Sequence, residues 1–77
     1  MTVYVLFRNG YGEQGVFKSV DGALTAALGE KNTILSKVVK SLFCERRIQY
    51  VRVTPDGVLT DGVPDDFYDI MRWELQD

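Results

Sequence analysis

A small α+β fold is what this sequence predicts: one small, mainly antiparallel sheet, read in the order ββααβββ, with one or two helices packed on one face. Two observations carry that reading. Ile34, Leu35, Val38, Val39, Leu42 and Phe43 recur at the spacing of an amphipathic helix, whereas residues 2–8 and 48–54 alternate as strands do. Glycine- and proline-bearing turn signals separate these segments, and no composition break divides the 77 residues, so 1–77 reads as a single domain.

Residues 2–8 are β-branched and aromatic, with Val3, Val5 and Phe7 on one side and Thr2, Tyr4, Leu6 and Arg8 on the other. Both sides are largely apolar, which predicts a central strand covered on both faces. Asn9-Gly10 and the glycines at 12 and 15 predict a hairpin loop, returning through a short strand at Val16-Phe17-Lys18. Ser19 or Asp21 is placed to cap a helix that carries Leu24, Ala27 and Leu28 on one face and stops at Gly29. Asn32 or Thr33 is placed to cap the second, more strongly patterned helix, and Lys40, Arg46 and Arg47 suit its negative C-terminal end.

Beyond it, Ile48 to Thr54 alternates, with Ile48, Tyr50 and Arg52 opposite Gln49, Val51 and Val53. Thr54-Pro55-Asp56-Gly57 is a turn, after which Val58-Leu59-Thr60 is expected to return as a hairpin partner. Residues 67–76 fit either a strand or a helix; the strand is preferred because it keeps Phe67, Met71 and Trp73 on one side. Helices on one face leave the other exposed, and Tyr4, Leu6, Tyr50, Tyr68 and Ile70 are expected there.

Composition narrows the function classes. The formal charge is −2, from 9 basic and 11 acidic residues, too little to draw the chain to nucleic acid or anionic lipid. No stretch approaches the roughly 20 apolar residues of a membrane span, so no membrane partner is expected. The single cysteine permits no internal disulfide, which favours a reducing, cytoplasmic setting. Cys44 closes the apolar stripe of the second helix and reads as a buried structural thiol.

The chain contains no histidine, which removes the common Ser-His and Cys-His nucleophile pairs and the His-based zinc designs. Gly10-Tyr11-Gly12-Glu13-Gln14-Gly15 matches the spacing of a phosphate-binding loop, but a strand rather than a helix follows it, so a plain hairpin is expected. Asp61, Asp65, Asp66 and Asp69 lack the spacing of a calcium loop and read as capping and solvated residues, so no metal and no cofactor is expected. These residues predict no enzyme. They predict a non-catalytic module that binds a larger protein through Tyr4, Tyr11, Tyr50, Arg52 and Tyr68. Two alternatives stand beside it. One is a self-associating assembly protein, a homodimer through an open sheet edge or face. The other is a nucleic-acid-binding module using Arg46, Arg47, Tyr50 and Arg52.

Val3-Tyr4-Val5-Leu6, Gly15-Val16-Phe17-Lys18-Ser19 and Trp73-Glu74-Leu75 also make the chain resemble small phage and prophage accessory proteins. Those have a strand, a second strand, a helix and a closing strand in that order. This chain differs by its long second helix and by the segment from Thr54 to Asp66. The resemblance implies a phage-encoded inhibitor or modulator of a host protein, with no active site.

Overall fold

Asn9 and Gly10 turn the chain back on itself: the Tyr11 amide donates to the Arg8 carbonyl at 3.0 Å, and Gly10 takes the positive φ of 82° that the turn needs. This closes a hairpin between β1 (Thr2–Arg8) and β2 (Gly12–Phe17). Their register slips by one residue at Leu6/Phe7, where Leu6 faces Gly15 and Phe7 faces Glu13, so Gln14 is bulged. Gly15 is needed there: its φ is 152°, and an added Cβ would stand 3.1 Å from the Phe17 ring. The glycine-rich stretch is thus a bulged hairpin running directly into a strand.

In the computed structural model, which describes residues 1–76, two helices follow. In α1 (Val20–Leu28) the Ser19 side chain accepts from the Gly22 amide, and Gly29 closes the helix in the left-handed conformation. In α2 (Thr33–Glu45) Asn32 accepts from the Leu35 amide. Each cap satisfies a backbone donor that the helix itself leaves unpaired. Ser19→Ala and Asn32→Ala are each expected to lower stability by about 1 kcal/mol, read as a drop in the urea midpoint at unchanged slope. Asp21 joins the helices, accepting from the Ser36 hydroxyl and from Lys40 Nζ at 2.9 Å.

The chain then forms β3 (Tyr50–Val53) and β4 (Tyr68–Glu74), giving a four-stranded, fully antiparallel sheet in the order β2-β1-β4-β3. The α+β class, the single antiparallel sheet and the one-sided helices are as the sequence predicts. The strand preference for the closing segment holds as well. The strand count differs: Val58-Leu59-Thr60 makes only an isolated bridge, Val53 to Leu59, so the order is ββααββ. The Thr54–Gly57 turn forms as expected, but past Thr60 the segment leaves the β3 edge before a second ladder rung is made.

The core lies between the helices and one face of the sheet. Leu6, Ile70, Val51 and Val53 meet Leu24 of α1 and Val39 and Phe43 of α2. Arg72 fastens α2 to the sheet, donating to the Phe43 carbonyl at 2.8 Å. That carbonyl lies in the last helical turn, where no intrahelical donor remains for it and a cation is favoured.

Candidate functional site

The antiparallel register sorts the side chains by face, because directly paired residues point the same way. Leu6 pairs with Ile70, Ile70 with Val51, and Tyr68 with Val53, so all five belong to the helix side. The opposite face has no element over it. A row crosses all four strands there: Val16, Val5, Met71 and Tyr50. A second row holds Glu13, Phe7, Asp69 and Arg52, and Val3 pairs with Trp73 beyond the first. The central Val3 and Val5 are buried by their neighbours, while Val16, Tyr50 and Trp73 are 55%, 51% and 50% exposed.

This placement corrects several expectations. Tyr4, Leu6, Tyr68 and Ile70 are not on the open face. Tyr68 is only 8% exposed within the core, and Tyr4 packs its ring 5.5 Å from that of Phe43. Of the tyrosines expected to meet a partner, Tyr50 stands on the open face and Tyr11 lies exposed in the β1–β2 hairpin. β1 is central but carries helices on one side only. Cys44 is exposed rather than buried, because Phe43 takes the inward position at that end of α2. The α2 stripe is also narrower than its sequence pattern: Leu35, Val39 and Phe43 point in, while Ile34 is 79% exposed.

Two arginines tie the loop between β3 and β4 to the sheet. Arg52 lies on the open face and grips Asp69 with two nitrogens, Nε to Oδ1 at 2.8 Å and Nη2 to Oδ2 at 3.1 Å. Its third nitrogen donates to the Gly62 carbonyl at 2.7 Å, and the guanidinium rests 4.0 Å from the centre of the Phe67 ring. The bond from Asp69 raises the pKa of Arg52 still further. Arg8 grips Asp66 in the same way, with Nη2 to Oδ2 at 2.7 Å, beneath the ring of Tyr11 at 4.4 Å. Two of the four clustered aspartates are therefore counter-ions to arginines. Among the described residues no group of His, Cys, Asp and Glu side chains is placed to hold a metal ion. The sequence offered no periodic signal for either pair, since the partners lie 58 and 17 residues apart.

The hydrogen bond from Arg8 holds the Asp66 carboxyl below its ordinary value, and Lys40 with Ser36 does the same for Asp21. A carboxyl with a depressed folded-state pKa adds stability in full above the unfolded value of about 3.9. It loses that stability as pH falls through the folded value, because the unfolded chain binds the proton first. The urea midpoint of the wild type is expected to fall across that acid window, and Asp66→Asn is expected to flatten part of the fall. An unchanged acid slope in the variant would show that Arg8–Asp66 contributes nothing.

A groove of about 780 Å³ runs along the outer edge of β3, with Leu42, Ile48 and Leu59 on its apolar side, Arg47 at one end and Asp61 where the edge closes. Arg47 holds a φ of 52°, a left-handed conformation unusual for a residue with a side chain. Of the basic set Arg46, Arg47 and Arg52, then, Arg52 is committed to Asp69, while Arg46 and Arg47 form no ion pair among the described residues. No described helix is long and apolar enough to cross a membrane. No protein-family model matches the chain, and neither a curated protein nor a solved structure matches it.

Proposed function

We propose that the chain is a small non-catalytic protein-binding module whose larger partner docks on the uncovered face of the sheet. One observation carries this reading: Val16, Tyr50 and Trp73, each about half exposed, stand on the sheet face opposite the helices, around the buried Val3 and Val5. Exposed apolar and aromatic side chains gathered on one face are costly to leave in water, and Trp and Tyr are the side chains that anchor protein interfaces. Arg52 adds a guanidinium whose charge Asp69 already balances, so covering it strands no lone cation.

The size of the face favours a larger partner over a second copy. Four strands about 4.8 Å apart and up to about 23 Å long give a flat footprint of roughly 350 Å². A stable pair of copies needs about 800 Å² from each. A concave partner gains the difference by reaching the flanks of the sheet. The resemblance to phage accessory proteins supports a phage-encoded modulator of a host protein as the setting.

Photo-reactive residues at Val16 and Trp73, and at Thr25 and Lys37 on the outer sides of the helices, test the reading in lysate of the source cells. A discrete heavier adduct is expected from the first two positions and none from the others. Equal labelling at all four positions, or adducts of twice the chain mass alone, would overturn it.

A further inference from the structure

The β3 edge carries a consequence for how the partner is held. The Arg72 amide donates to the Gln49 carbonyl at 2.9 Å, which sets the phase of the β3–β4 ladder: Gln49, Val51 and Val53 turn their backbone groups toward β4. Tyr50 and Arg52 turn theirs away from it. The Arg52 carbonyl is taken by the Thr60 amide at 3.1 Å, where the Leu59 segment closes the upper half of the edge. Below that point the Tyr50 N–H and C=O and the Arg52 N–H face the groove. Only an extended backbone presents donors and acceptors at matching intervals to such an edge.

We infer that this open half-edge is a strand-addition site, which takes an extended, acidic-ended segment of the partner protein. The inference rests on the module reading and adds the chemistry of what is bound. Leu42, Ile48 and Leu59 give one side of the added strand an apolar seat. Tyr50 lies on the other side, continuous with the open face. The charge along the groove is polar: Arg47 stands at its lower end with Arg46 adjacent in sequence, and Asp61 at its upper end. A segment running antiparallel to β3, as every pair in this sheet runs, places its C-terminal residues beside Arg47. Carboxylates are therefore favoured at that end and disfavoured near Asp61. Arg47 strengthens the point. Its left-handed φ is one that glycine adopts without strain, so the guanidinium is held there against the backbone's preference. A second copy fits poorly, because pairing β3 with β3 about Tyr50 drives each copy's Leu59–Asp61 segment against the other's Arg47 and Ile48.

A displayed library of random decapeptides, selected on the full chain, tests this. Enriched peptides are expected to alternate β-branched residues and to carry Asp or Glu toward the C-terminus. Tyr50→Pro removes an outward N–H and none of the ladder bonds to β4, and Arg47→Gly removes the charge at a position that suits glycine. Each is expected to weaken the selected peptide at least tenfold, with Lys37→Ala unchanged. Should Tyr50→Pro fail to fold, N-methylation of the peptide at alternate amides takes its place: one alternate set is expected to abolish binding and the other to spare it. No enrichment over the bare support, basic winners, or equal binding to Tyr50→Pro would overturn the inference. So would a wild-type dimer that Tyr50→Pro dissolves. The two readings fail separately, since adducts at Val16 and Trp73 without any peptide capture sink the edge alone. Peptide capture without those adducts sinks the docking face instead.

Discussion

Phe43→Ala lowers the unfolding free energy by about 3–5 kcal/mol, the range for emptying a buried aromatic site. Phe43 is 1% exposed and among the largest fully buried side chains of the core. Its ring faces Tyr4 at 5.5 Å on one side and the Arg72 guanidinium at 5.6 Å on another. Truncation leaves a cavity that the sheet cannot close, because Tyr4 and Arg72 are fixed opposite each other in the β1–β4 register. A chain of 77 residues holds on the order of 4–12 kcal/mol in total, so this one change removes a large share of it. The urea midpoint, followed by circular dichroism, is expected to fall by about 1.5 molar or more at a slope of roughly 1–2 kcal/mol per molar. Ile34→Ala, on the same helix but turned outward, is expected to shift it by no more than about 0.5 kcal/mol. A loss under about 1 kcal/mol for Phe43→Ala would mean that α2 does not sit on the sheet as described.

The same pair of residues shows how far the sequence can be read. Phe43 and Ile34 carry equal weight in the apolar repeat of α2, and the helix follows from that repeat alone. Which half of the stripe faces inward depends on where the sheet lies, and that is a long-range fact. The strands have the same limit. Alternation in β1 and β4 is legible, and the partition into Val3, Val5, Phe7 against Tyr4, Leu6 is correct residue by residue. Yet both sides are apolar, so alternation does not say which side the helices cover. By volume, the side that carries Phe67, Met71 and Trp73 is the one expected to face the helices. That expectation fails because Leu6 and Ile70 are directly paired, and the helices bury that row. The register moves Tyr68 inward and Trp73 outward, and so changes the candidate surface more than it changes the fold.

The ion pairs were less legible still. Arg52 reads from the sequence as a free cation beside Tyr50, suited to a phosphate or a partner. Asp69 reads as one of a group of solvated acids. Only the β3–β4 register sets the two opposite each other, and the bond to Gly62 then fixes the loop that crosses the sheet edge. The nucleic-acid alternative draws on Arg52 as free charge, and the Asp69 grip takes that charge out of play. The Tyr50 contribution survives, because its outward backbone and its half-exposed ring follow from the β3–β4 register and draw on no free charge.

Trp73→Ser is expected to cost the partner at least about 2 kcal/mol of binding, a thirtyfold rise in Kd or more, while the fold persists. The indole is half exposed on the open face, paired across strands with the buried Val3. Losing it uncovers part of one valine, which costs stability of the order of 1 kcal/mol. In a docked complex the same ring is desolvated on its free side, and nothing else on that row replaces its area. Ile34→Ser is the matched control, because Ile34 is the more exposed of the two and equally apolar but sits on the outer side of α2. If exposed apolar area alone decided docking, Ile34→Ser would cost as much as Trp73→Ser. If the uncovered sheet decides it, titration of the captured partner separates the variants by an order of magnitude, with both circular dichroism spectra matching the wild type. The reverse ranking would place the partner on the helices and leave the open face as solvent-exposed surface with no ligand.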